Sequence, residues 1–244
     1  MTVALPDVTV VIGAYEAMPY LVECLASVEA QTIDPGRIEV IAVDDGSTDG
    51  TGECLEEFAA RAAMPVTVIR QDNSGGPSGP RNVGLSKAAG RYVFFLDADD
   101  RLGPEALERM VAMADRNGTD VVLGRVEGVN RKPPQAMWGK TLDRTDVFSS
   151  NIKFTLSAQK LFRRSLLDRH GMRFDRTVDQ LAGTGLLERR RDAGVRSRAV
   201  QREVRSRRRS VHRHLDQAAA RHRGDGEQHE VEQQLDAVLR HQRH

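Results

Sequence analysis

The sequence predicts an α/β protein built on a mostly parallel sheet with flanking helices. Three observations carry this expectation. Over the first half of the chain, short β-branched runs alternate with amphipathic stretches of helical period. The runs are apolar almost throughout, as in strands covered on both faces. The unusual polar residues and glycines gather where the runs end.

The run at residues 8–12, Val-Thr-Val-Val-Ile, stops at Gly13 and reads as a buried parallel strand. Residues 20–31 place Leu21, Cys24, Leu25 and Val28 at helical spacing. A second strand covers 38–43 and ends at Asp44. A helix over 49–63 follows, with Thr48 or Asp49 as its cap and Cys54, Leu55, Phe58 and Ala62 on one face. Residues 66–69 give a third strand, and 72–80 a loop rich in Gly, Ser and Pro. A helix over 81–89, a strand over 91–96, a helix over 102–117 opened by Pro104 and a strand over 120–123 complete the alternation. Such repetition dictates parallel pairing with right-handed crossovers. Ligands then bind beyond the carboxyl ends of the strands, which selects residues 13–16, 44–47, 73–81 and 97–100.

A chain of 244 residues suits one large α/β domain, alone or with a short appendage. A net charge of +1 argues for no particular polyanionic partner, and nucleic acid is not expected. The two cysteines, Cys24 and Cys54, are too few for a disulfide framework or a tetrahedral metal site and read as buried, reduced thiols. No basic segment followed by an apolar stretch opens the chain, and no apolar run approaches the ~18–20 residues of a membrane span. The expectation is a cytoplasmic protein, peripheral at most to the inner face of the cell membrane.

Four strand ends hold candidate chemistry. Asp97 and Asp99 leave the sheet together and can converge on Mg²⁺ or Mn²⁺, which take oxygen ligands and share them with phosphates. Taken alone, the segment is equally a solvated acidic turn, with Asp100 capping the next helix. Asp44-Asp45-Gly46-Ser47 can accept a hydrogen bond from a nucleobase, or serve as a turn and helix cap. Residues 73–81 supply Asn73 and a fixed cation, Arg81, able to grip a diphosphate through two nitrogens, or form a plain surface loop. Tyr15 can stack on a base or pack against the core.

Together these segments resemble a known family. Thr9-Val10-Val11-Ile12-Gly13-Ala14-Tyr15, Val43-Asp44-Asp45-Gly46-Ser47-Thr48-Asp49-Gly50-Thr51, Pro80-Arg81-Asn82-Val83-Gly84-Leu85 and Phe94-Phe95-Leu96-Asp97-Ala98-Asp99-Asp100 resemble the family 2 glycosyltransferases of the GT-A fold. The resemblance covers roughly residues 7–180. The Pro-Arg-Asn-x-Gly-Leu form and the segment Ser157-Ala158-Gln159-Lys160-Leu161-Phe162-Arg163-Arg164-Ser165-Leu166-Leu167 are similar to the wall-teichoic-acid (polyol-phosphate) glycosyltransferases. Gly13 departs from the Pro or Thr often found in the family.

The resemblance implies an inverting transfer from a nucleotide-sugar, most often a UDP-sugar, to an acceptor hydroxyl on a glycan or polyol-phosphate polymer. It implies that Tyr15 with Asp45 or Asp44 holds the base, that Asn73 and Arg81 lie near base and diphosphate, that Asp97 is near the ribose or sugar, and that Asp99 ligates the divalent metal, Mn or Mg. The family's base stands in a Glu-Asp pair about 80 residues after the metal aspartate. Here Val178-Asp179-Gln180-Leu181 occupies that distance with Val in place of Glu, which makes Asp179 the candidate catalytic base.

After Leu181 the resemblance ends, which divides the chain into a transferase domain at 1–181 and a tail at 182–244. No Pro follows Pro134, no Lys follows Lys160 and no aromatic follows Phe174, whereas six of the seven histidines lie at 212 or later. So few large apolar side chains do not offset the entropy of ordering. Loss of Lys, Pro and aromatics together points to a shifted reading frame, with a genuine basic, disordered tail as the alternative. Two further readings follow: a catalytically impaired nucleotide-sugar-binding protein with a polyanion-binding tail, and a nucleotidyltransferase. The latter normally carries a basic Gly-rich loop after its first strand, which Gly13-Ala14-Tyr15-Glu16 lacks.

Overall fold

The computed structural model describes residues 5–128, 143 and 158–176, together with the backbone of 187–189. All of them fall in the first unit of the chain, Met1–Arg190. Asp179 and the tail, except for 187–189, lie outside the described residues.

Four strands pair in parallel: β1 (Val8–Ala14), β2 (Ile38–Asp44), β3 (Val66–Arg70) and β4 (Tyr92–Asp97). The helices α1 (Tyr20–Glu29), α2 (Thr51–Arg61), α3 (Ser78–Lys87) and α4 (Ala106–Asn117) connect them or follow β4. The expected last strand, β5 (Val121–Leu123), does not touch β4 directly. A strand absent from the sequence reading, β6 (Lys160–Arg163), lies between them and pairs antiparallel with both, in the order β3-β2-β1-β4-β6-β5. Helix α5 (Arg164–Arg169) and strand β7 (Met172–Phe174) follow, and β7 pairs antiparallel with β8 (Leu187–Arg189).

Alternation of side chains across the sheet separates two cores. Val8, Val10 and Ile12 of β1, with Tyr92, Phe94 and Leu96 of β4, face α1, α2 and α4 through Leu21, Leu25, Leu55, Phe58, Leu107 and Val111. The opposite residues, Val11, Val93 and Phe95, meet Leu85 of α3, Leu167 of α5 and Phe174 of β7. The Phe95 ring meets the edge of Phe174 at 4.8 Å between centroids, a geometry worth about 0.5–1.5 kcal/mol beyond area burial. Both faces of the central strands are therefore covered, which is why their sequences lack polar alternation.

The strand order sets the place of the site. From β1 the chain adds β2 and β3 on one side and β4 on the other, so the order reverses between β1 and β4. A crevice opens at such a switch point, outside the carboxyl ends of the two strands. Register fixes which residues border it: Gly13 lies opposite Asp97, and Ala14 opposite Asp44.

Candidate donor-binding site

Gly13 matters because of what sits over it. A Cβ there would lie 3.1 Å from Pro80 Cγ and 3.9 Å from the Arg81 nitrogen. The missing side chain lets the first turn of α3 approach the end of β1. The same helix is close further along, where a Cβ on Gly84 would lie 2.3 Å from Val11 Cγ1. These two glycines bring Arg81 down to the sheet, where it is 7% exposed.

Arg81 is committed there. Its Nη2 donates to Asp97 Oδ1 at 2.5 Å, and its guanidinium carbon lies 5.4 Å from the centre of the Phe174 ring. The second Asp97 oxygen accepts from the amide of Gln159 at 3.2 Å. That amide also donates to Asp100, whereas α4 takes Glu105 as its N-cap without a side-chain bond. Asp100 is thus turned toward Gln159 and does not cap α4. Asp99, between them, is exposed and has no hydrogen-bond or ion-pair partner among the described residues.

Beneath the cluster Cys24 is buried, its Sγ 3.7 Å from the Asp97 carbonyl oxygen. Burial pushes its thiol up from 9.0 to about 12, reinforced by the negative charges of Asp100, Asp97 and Asp99. Cys54 is also free but half-buried, a departure from the expectation that both cysteines are buried.

The second strand end is built differently. Asp44 and Asp45 are both nearly fully buried. Asp44 accepts from the Ser47 nitrogen at 3.0 Å, closing the turn. Asp45 accepts from Gln71, from the Ser74 nitrogen at 3.1 Å and from Ser74 Oγ at 2.9 Å. Its carboxylate holds the loop that carries Asn73. Gly46, at φ +84°, faces that loop so closely that a Cβ would lie 2.8 Å from the Asn73 nitrogen. Asn73 accepts from the Gly75 nitrogen at 2.8 Å and remains at the surface.

The β1–α1 connection completes the rim. Glu16, at φ 47°, accepts from the Thr48 nitrogen at 2.8 Å and from Thr48 Oγ1 at 3.0 Å, and its own nitrogen donates to Ser47. Asp49 accepts from the nitrogens of Met18 and Thr51, so it supports the start of α2 as expected, although Gly50 is the N-cap residue. Tyr15, held between these clamps, is 54% exposed. Its ring does not pack into the core and is open to a planar ligand.

The approach to Asp179 is anchored to the same elements. Asn82 pairs with both backbone groups of Phe174, at 2.9 and 2.8 Å. Ser78 Oγ donates to the Asp175 carbonyl at 3.3 Å, and Arg176 donates to the Ser74 carbonyl at 3.1 Å. The three residues that lead toward Asp179 are therefore fixed against α3 and the Asn73 loop.

The structure thus gathers Tyr15, Asp44, Asp45, Asn73, Arg81, Asp97 and Asp99 around the carboxyl ends of β1, β2 and β4. Sequence reasoning missed Gln71, Ser74 and Gln159. Gln159 did stand in a segment marked by its resemblance, but its contacts span 59 and 62 residues along the chain.

The sequence profile of Glycosyl transferase family 2 matches residues 9–171. The chain belongs to this family. Over 168 residues it is 38% identical to a poly(ribitol-phosphate) beta-glucosyltransferase of Bacillus spizizenii, covering 68% of this chain and 26% of that one. The GT-A domain superposes on S. aureus TarS 1–349 in complex with UDP, with TM-score 0.68 and 34% identity over 72% of this chain and 52% of that one. The complex of TarS with UDP-GlcNAc gives 0.66 and 36% over 69% and 48%. The chain therefore spans about a quarter to half the length of these relatives. Family membership removes the nucleotidyltransferase alternative. No helix among the described residues is long and apolar enough to cross a membrane.

Proposed function

We propose that this chain binds a UDP-sugar at the β1/β4 crevice and transfers the sugar, with inversion, to a hydroxyl of a polyol-phosphate polymer. The observation that carries the reading is the division of labour in the acidic cluster. Asp97 is fixed on both oxygens, while Asp99 is exposed without a partner among the described residues. Its setting is a domain 34% identical to a UDP-bound relative.

The chemistry follows from the residues. Tyr15 stacks on the base. The Asp44-Asp45 turn shapes the base end by holding Asn73 in place. Arg81 and Asp97 form a fixed polar floor under the ribose and diphosphate. Asp99 is a suitable ligand for Mn²⁺ or Mg²⁺. A group of three or more ligating His, Cys, Asp or Glu is absent among the described residues. That suits a cation held by one or two carboxylates plus substrate phosphates rather than by an all-protein cage. When bound, such a cation neutralises charge developing on the leaving diphosphate. Asp179 takes the proton of the attacking hydroxyl from the opposite face of the sugar.

The domain is proposed to span 1–181, with the Arg- and His-rich segment from 182 outside the transfer machinery. It is proposed to work in the cytoplasm, where nucleotide-sugars are at hand, at the membrane's inner face. The test is a panel of nucleotide-sugars supplied with poly(ribitol phosphate) and Mn²⁺ or Mg²⁺. Metal-dependent consumption of a UDP-sugar is expected, abolished by Asp179→Asn while UDP binding persists. Preference for a GDP-sugar, or turnover unaffected by a chelator, contradicts the reading.

A further inference from the structure

Resting on that donor-site reading, we propose that Gln159 is a positioning residue: its amide holds Asp97 and Asp100 aside so that Asp99 is presented to the cation and diphosphate. The cluster crowds three carboxylates into four residues. Left alone, like charges so close repel, and several of them compete for one cation. The amide answers both problems. Its nitrogen carries two protons, and the two acidic neighbours accept one each: Asp97 Oδ2 at 3.2 Å and Asp100 Oδ2. The orientation is fixed by the partners, because ionised carboxylates only accept.

The residue type is informative. Arg or Lys here would place a positive charge beside the cation site. Glu would add a fourth carboxylate. Gln satisfies the cluster and leaves its net charge unchanged. Placement is equally specific. Antiparallel pairing of Phe94 with Leu161 brings the residue just before β6 beside the end of β4. Gln159 thereby restrains the cluster from the side opposite β1. Arg81 takes the other Asp97 oxygen, so both of its oxygens are engaged away from the cation.

Titration calorimetry of UDP into the full chain, with and without Mn²⁺, tests this. Gln159→Met keeps the length and removes the donors; Gln159→Glu keeps the shape and replaces a donor by a charge. In both variants the Mn²⁺-dependent gain in UDP affinity is expected to fall about tenfold, the scale of one charge-assisted hydrogen bond. In Gln159→Met, UDP affinity without metal should stay within about twofold of wild type, a split that general loosening of the fold would not produce. If Gln159→Met fails to fold, Gln159→Glu alone carries the test. A wild-type metal gain in either folded variant overturns the proposal, as does an equal loss with and without metal. Failure of the wild type to bind UDP under any condition instead overturns the donor-site reading itself.

Discussion

Gly84→Ala probes the contact that sets the height of α3 over the sheet. The new methyl would lie 2.3 Å from Val11 Cγ1 and 3.3 Å from Val11 Cβ and Cγ2. Carbon atoms prefer about 3.5–4.0 Å, so the chain must open by roughly 1.2 Å or rotate Val11. Rotation is difficult: Val11 is fully buried and its branched side chain is stiff at χ1. Overpacking of this kind costs about 1–3 kcal/mol. Alanine returns about 0.8–1.0 kcal/mol of helix propensity, which leaves a net loss of about 0–2 kcal/mol. Lifting α3 also moves Arg81 and Asn82, so UDP affinity should drop alongside stability. Urea unfolding of Gly84→Ala, Val11→Ala and the double variant isolates the contact. Val11→Ala vacates the space that the new methyl needs, so the double variant should be at least about 1 kcal/mol more stable than additivity predicts. Additivity within about 0.5 kcal/mol, or a Gly84→Ala protein more stable than wild type, refutes the close-approach argument.

The buried ion pair gives a second expectation. The side chain of Arg81 is 8% exposed and that of Asp97 34%, so Asp97→Asn should cost about 2–3 kcal/mol, below the range for a fully buried pair. Arg81→Met with Asp97→Asn should cost less than the sum, as read by urea unfolding; strict additivity would contradict the pairing. Cys24 supplies a pH prediction. A thiol raised from 9.0 to about 12 stabilises the fold fully below pH 9, and that contribution is lost as pH rises toward 12. With a thiol reagent at pH 8, Cys24 should react only at the rate of unfolding and Cys54 faster; equal rapid reaction of both would contradict the burial argument.

Much of this architecture is legible in the chain because local pattern and tertiary environment agree. Runs such as Val8 to Ile12 are apolar apart from Thr9 and lie buried on both faces. The strand ends carry the site because parallel pairing puts them all on one edge. Helix α3 begins earlier than Arg81 because Pro77 is already in the helical region and Pro80, in the first turn, has no amide to satisfy there. Strand β6 was illegible. Lys160–Arg163 has no alternation, and its partner in β4 lies far away in sequence. That the candidate residues gather at the strand ends was legible, but their pairings were not. That Asp45 serves the Asn73 loop, and that Arg81 is spent on Asp97, depends on contacts 16 to 29 residues apart.

On the proposed reading, Asp99, left open while its neighbours are held, presents a cation to a nucleoside diphosphate at the β1/β4 crevice. Calorimetry of UDP binding to the full chain, with and without Mn²⁺, tests it in wild type and Asp99→Ala. Wild type should bind UDP more tightly with Mn²⁺, and Asp99→Ala should lose that gain. An undiminished Mn²⁺ gain in Asp99→Ala would contradict the account.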